Sequence, residues 1–383
     1  MRSRRGRAIG AVVAVCALLA AGCGDDDTDE AGAGEASTGE EAGGGAVEDL
    51  QIVTEPPTEF TVNDPLPGPP EARSVAFLVC PVPACEKNVT YLTNAAEVLG
   101  WDIEAISLDL ANPGVAFQQA LDGGFDYIAL TGVPLAALEE QMAEARDRGI
   151  AVFECYSTDV AEGEANGLYS QCGGAESVAL SADRLADWVI EDSGGDANVV
   201  AVTIRDFPIL VAEEDAMAAA FDERCPDCSL DAVPVTVEDL GAGEVPQQVA
   251  SYIQSNPDVD YVWFTFSDLS LGVSEALDGA GVLEGHNLVG VRPEEPQLEE
   301  LAAGTHRAWA APADEYAMWV MADQMARHAT GVWDAALEHE AAVLPAWVVE
   351  DQSVAQELLD TGVGGWPGPE GYQDHFRELW GLP

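Results

Sequence analysis

The chain has 383 residues, and 69 acidic residues against 15 basic ones give a formal net charge of −54 at pH 7. A surface of that charge repels nucleic-acid phosphates and anionic lipid headgroups, which excludes functions that rest on binding either. The same acid excess predicts a protein suited to high salt, because at about 1 M the Debye length is ~3 Å and repulsion between carboxylates is screened; an acidic protein with no such adaptation is the plainer alternative.

Arg2, Arg4, Arg5 and Arg7 precede an apolar stretch over residues 9–21. The stretch is shorter than the ~20 residues of a membrane span and suits the core of a secretory signal. The run Leu19-Ala20-Ala21-Gly22-Cys23 resembles the bacterial lipobox, whose cysteine is acylated and becomes the new N-terminus, although Ala20 stands where leucine is commoner. Residues 1–22 are therefore expected to be a removed signal peptide and Cys23 the lipidation site, with an ordinary secretory signal beside a stray cysteine as the alternative. Acyl chains contribute about 0.8 kcal/mol per buried methylene, so they would hold the protein on the outer face of the cell membrane without a spanning helix. Residues 23–72 are rich in Gly, Ala, Glu, Asp and Pro and are expected to form a disordered acidic tether, stiffened at its end by "PPTEFTVNDPLPGPP".

With Cys16 and Cys23 set aside, six cysteines remain, and in an oxidising compartment they read most simply as three local disulfides: Cys80 with Cys85, Cys155 with Cys172, and Cys225 with Cys228. The alternative for "CPDC" is a redox or zinc motif, but no second C-x-x-C and no nearby histidine supports it. No metal and no cofactor are expected.

From residue 74 onward, apolar runs rich in Val, Ile and aromatics alternate with helical patterns. "SVAFLVC" (74–80) reads as a buried strand, followed by a helix over 86–99 with Val89, Leu92, Ala96 and Leu99 on one face and Gly100 as its stop. "WDIEAISL", a helix around "VAFQQALDGG", "DYIALTG", a helix over 135–148 and "IAVFEC" continue the alternation. After Cys172 it restarts: a helix over 175–193, "NVVAVTI", a helix over 211–223, "SLDAVPV", the helix "VPQQVASYIQS", "VDYVWFTF", a helix from about 269, then "NLVGV" and "RAWAA". Strand then helix, repeated, means a parallel sheet covered on both faces, here used twice: an α/β chain of two Rossmann-like lobes. Ligands of such sheets bind beyond the carboxyl ends of the strands, so two facing lobes make a cleft. Trp263 and Trp319 read as core, and the five histidines, at 286, 306, 328, 339 and 375, as surface residues.

Three segments resemble the type I periplasmic substrate-binding proteins of the ribose and galactose branch, whose fold is shared with the ligand domain of LacI-type repressors. They are "FDYIALTGVPLAALEEQMAEARDRGIAVF", "NPDVDYVWFTFSDLSLGVSEALDGAG" and "LVGVRPEEPQLEELAAGTHRAWAAPADEYAMW". The resemblance implies lobes joined by three crossings, just after Tyr156, near Pro312 and over 343–347. The first lobe would then be 74–156 plus 312–342, and the second 157–311 plus 343–383. It also implies a monomer that closes around a small solute such as a sugar and docks on the permease of an ABC transporter, the tether raising its effective concentration there. A receptor that presents solute to a membrane signalling protein would use the same fold.

Carried over residue by residue, the resemblance places Ser267 and Asp268 at the family's "N-D" position and Arg292 at the aspartate of its "G-F-D" strand. Pro312 stands at the glutamine near the second hinge, and the turn 131–134, with Thr131 and Gly132, replaces an acidic residue. An arginine offers only donors, so Arg292 suits an anionic group on a sugar-like or nucleoside-like ligand; pairing outward with Glu294 or Glu295 is its alternative. Arg205 and Asp206 stand at the edge of the expected cleft, or pair with each other. Phe207, Tyr156 and Phe266 follow strands and could stack on a flat ligand, and Asn88 could reach it from the first lobe, as could Glu86 and Lys87. The chain lacks G-x-S-x-G, G-x-x-x-x-G-K and H-E-x-x-H, so catalysis is not expected.

Overall fold

A computed structural model of the chain describes residues 50–383. The expected signal segment, Cys23 and the other residues up to 49 lie outside the described part.

The first lobe is built from β1 (Ser74–Val79), α1 (Pro83–Leu99), β2 (Asp102–Ser107), α2 (Pro113–Gly123), β3 (Tyr127–Thr131), α3 (Glu139–Arg148), β4 (Ala151–Cys155) and β5 (Leu168–Cys172). The second runs through α4 (Ala175–Ser193), β6 (Asn198–Thr203), α5 (Pro208–Arg224), β7 (Ser229–Pro234), α6 (Val237–Ala242), α7 (Val245–Ser255), β8 (Tyr261–Phe264), α8 (Val273–Ala280), β9 (Asn287–Val291), α9 (Glu295–Ala303) and β10 (His306–Pro312). The chain returns to the first lobe with α10 (Asp314–Thr330) and α11 (Ala335–Ala341), crosses again to β11 (Ala346–Val349) and α12 (Gln352–Asp360), and ends in α13 (Tyr372–Leu379).

The first sheet has the order β2-β1-β3-β4-β5, all parallel. The second has the order β11-β10-β9-β8-β6-β7, parallel except where β11 meets β10. Central strands are apolar on both faces because helices cover both. Along β1, Val75 and Phe77 enter the layer of α1 and α10, while Ala76 and Leu78 enter that of α2 and α3. α1 buries Leu92, Ala96 and Leu99 at helical spacing, and Gly100 ends it with a left-handed φ of 71° that lets its N–H reach the carbonyls of Ala96 and Glu97. Trp263 and Trp319 are core residues. The three disulfides join Cys80 to Cys85, Cys155 to Cys172 and Cys225 to Cys228.

Four expectations need correction. Residues 157–172 belong to the first lobe, because β5 pairs with β4 and places Cys172 opposite Cys155. The first crossing is therefore at Gly173, not after Tyr156; the polar content of β5, an edge strand whose burial alternates, concealed it. The C-terminal tail does not stay in the second lobe: α12 packs on α9, but the chain then recrosses, and Phe376 and Trp380 pack against Trp319 of α10, Trp380 stacked at 5.6 Å. Nor does the packed body begin at residue 74. Residues 50–72 form an extended strap, in which Val348 donates its N–H to the Val53 carbonyl (2.7 Å) in the second lobe. In the first lobe Thr61 N–H donates to Tyr316 Oη (2.9 Å), and Val62 and Leu66 are buried. Finally, His306 is buried, accepting from Trp309 Nε1 (3.1 Å), and burial pushes its pKa down to about 4; His328 is half-buried against Tyr127 and Tyr169.

Candidate functional site

The carboxyl ends of both sheets face one cavity. From the first lobe it is lined by the bridge between Cys80, after β1, and Cys85 of α1, by Asn88 and Tyr91 of α1, by Thr131 at the end of β3 with Gly132 after it, and by Tyr156 after β4. The second lobe contributes Phe207, Phe266, Ser267 and Arg292, each just beyond a strand end, and the hinge contributes Pro312 and Asp314. Trp366 and Pro367, from the tail as it recrosses, complete the wall. Ten of the sequence-derived candidates, Lys87 of α1 among them, thus meet in one place.

At its centre stand Tyr156 and Arg292. Among the described residues they are the two non-glycine residues with left-handed backbone, at φ 57° and 60°, a conformation that costs about 1–3 kcal/mol and persists where surrounding contacts enforce it. They touch: the Arg292 guanidinium carbon lies 5.6 Å from the centre of the Tyr156 ring. Gly173 makes room for that ring, since a Cβ there would lie 2.6 Å from it.

Arg292 points inward, not outward to Glu294 or Glu295. Its Nη1 donates to Glu213 Oε2 (3.2 Å) and to the Thr265 carbonyl (3.3 Å), and its Nε lies 3.9 Å from Asp314 Oδ1. Tyr156 Oη donates to the same Asp314 oxygen at 2.9 Å. Burial raises the Glu213 carboxyl to about 7 and the Asp314 carboxyl to about 6, in each case against the pull of Arg292. One guanidinium is thus shared by two carboxyl groups, and once these are ionised its charge is balanced within the protein.

Four candidates fall elsewhere. Glu86 is exposed and does not line the cavity. Arg205 and Asp206 are exposed, and Arg205 pairs with Glu214 of α5 instead of with Asp206. Asp268 is buried beside Ser267 but spans the lobes, accepting from the Ala84 N–H at 3.3 Å, and burial lifts its pKa to about 6. Sequence reasoning missed Tyr91, Glu213, Asp314, Glu315 and Trp366. Asp314 could have been found from its place beside the expected hinge at Pro312; Trp366 sits in a Gly- and Pro-rich run with no periodic signal. Among the described residues no cluster of three or more His, Cys, Asp or Glu could hold a metal ion.

Residues 109–332 match the family described as periplasmic binding protein domain. The chain belongs to that family. No curated protein matches the chain by sequence. Its fold is shared with a sugar ABC transporter protein from Yersinia enterocolitica (16% identity, 80% of this chain and 94% of that one, TM-score 0.65). It is also shared with the 5-methylthioribose transporter solute binding protein of Thermotoga lettingae, solved with 5-methylthioribose (16%, 80% and 96%, 0.62), and with a carbohydrate transporter from Acidothermus cellulolyticus, solved with myo-inositol (17%, 76% and 99%, 0.63). At such identities the likeness is one of fold. In this periplasmic binding protein the departures from the family pattern are therefore read from its own cleft: an arginine balanced by two acids where the pattern has an aspartate, and a tail tryptophan on the wall.

Proposed function

We propose that this binding protein captures a small, polar, uncharged solute of the sugar or polyol class between its lobes and delivers it to an ABC transporter permease. In this reading it works outside the cytoplasm as a monomer held by an acylated Cys23. One observation carries the choice of solute: Arg292 is paired with both Glu213 and Asp314, so above about pH 7, where both carboxyls are ionised, a carboxylate or phosphate entering the site meets a net excess of acid. Hydroxyl groups can instead donate to Asp314 and exchange hydrogen bonds with Asn88, Thr131 and Ser267, while Phe207, Phe266 and Trp366 supply faces on which a sugar ring stacks. The folds it shares with proteins solved around 5-methylthioribose and myo-inositol agree with that class.

A thermal-shift screen above about pH 7, in molar salt, over sugars, polyols, nucleosides, carboxylates and sugar phosphates tests the reading. Neutral polyhydroxylated compounds are expected to raise the melting temperature, and phosphorylated or carboxylated counterparts of the same compounds are not. A shift from anions alone would return Arg292 to the role of an anion clamp.

A further inference from the structure

α1 begins without a cap of its own. Its N-cap residue is Val82, which has no side-chain oxygen, and no side chain of the first lobe accepts from its first turn. A helix start leaves N–H groups that need acceptors and carries a partial positive charge. The acceptor for Ala84 comes instead from the facing lobe, as Asp268 Oδ2 at 3.3 Å. One turn further along the same helix, Lys87 Nζ meets Glu294 Oε2, also of the facing lobe, at 2.6 Å. The start of α1 is tied to the end of β1 by the Cys80–Cys85 disulfide, with Cys85 in the first turn itself.

We propose that Asp268 is a cap supplied to α1 from across the cleft, and that with the Lys87–Glu294 pair it forms a latch that positions the two lobes against each other, the Cys80–Cys85 bridge holding the first turn of α1 where the latch meets it. These are positioning residues: Asp268 does not line the cavity, and Lys87 and Glu294, which do, are engaged with each other. The inference rests on the reading of the cleft as one that opens and closes, but it concerns contacts between lobes and needs no particular solute.

Lys87 is the only lysine in the chain, which makes it a built-in probe. An N-hydroxysuccinimide ester is allowed to acylate the full chain in molar salt, and the rate is read by mass spectrometry at the peptide carrying residue 87. In the wild-type protein the ion pair slows the reaction. Asp268→Ala is expected to speed it about fivefold, the ~1 kcal/mol of a lost cap converted at 1.4 kcal/mol per decade. Asp268→Asn, whose amide oxygen still accepts from Ala84, is expected to stay near the wild-type rate. Cys80→Ser/Cys85→Ser is expected to speed acylation as well, and serves if the alanine variant does not fold. Acylation at the wild-type rate in Asp268→Ala or in the double serine variant, or equal acceleration by Asn and Ala, would overturn the proposal. Because no solute is present, a failed solute screen does not touch this result, and a failed latch leaves the solute reading standing.

Discussion

Arg205 and Arg292 both follow strands of the second lobe, and one helix serves both, since Glu214 of α5 holds the first and its neighbour Glu213 the second. Consecutive helical residues point about 100° apart, so α5 places one carboxylate at the exposed rim and the other in the buried floor of the cleft. The two pairs use the same chemistry and differ in solvent. At the rim, water and salt do most of the screening and the pair contributes little. On the floor, Glu213 is fully buried, so each charge depends on the other.

The largest way to break that contrast is to delete one buried partner. Arg292→Ala leaves Glu213 without its cation and is expected to cost about 3–5 kcal/mol in urea unfolding at molar salt, while Arg292→Met with Glu213→Leu recovers most of the loss. A loss below about 1 kcal/mol for the single variant would show that the pair does not hold the floor.

The buried pair also responds to pH. Burial holds the Glu213 carboxyl near 7 in the folded chain, against its ordinary 4.5. Between those values the folded chain keeps a proton that the unfolded chain has released, so this contribution to stability falls as pH rises through the window. Asp268 and Asp314, both raised to about 6, act in the same direction, whereas His306, held down to about 4, acts in the opposite one. Glu213→Gln should flatten the fall between pH 4.5 and 7 by at most about 1.4 kcal/mol per pH unit; an unchanged slope would mean that Glu213 is already ionised there.

Salt separates the two pairs further. With 69 acids in the sequence, the melting temperature of the whole chain is expected to rise from low to molar salt, and a salt-independent value would contradict this. The smallest effect is at the rim: Arg205→Ala is expected to cost about 0–1 kcal/mol at low salt and nothing measurable near 1 M.

Most of the architecture was legible because buried parallel strands are near-continuous apolar runs, and "NLVGV" and "VPQQVASYIQS" mark their elements to the residue. What escaped was polar or irregular. β5 reads Leu-Tyr-Ser-Gln-Cys and is buried on alternate residues only. The strap and the recrossing tail carry Pro and Gly, which resemble linker composition although Val62, Leu66 and Trp366 are buried. In the cleft, strand-end positions identified Arg292, Tyr156 and Phe266, but not which arginine turns inward. That choice is made by the left-handed backbone at Arg292 and by Glu213 on a helix distant in sequence, and neither leaves a local signal.

Small-angle scattering shows whether the two lobes shut around an uncharged solute. Saturating the chain in molar salt with the neutral compound that gives the largest thermal shift should contract its radius of gyration, while the phosphorylated counterpart leaves the curve unchanged. An identical curve with and without that neutral compound would mean that the lobes do not close on it.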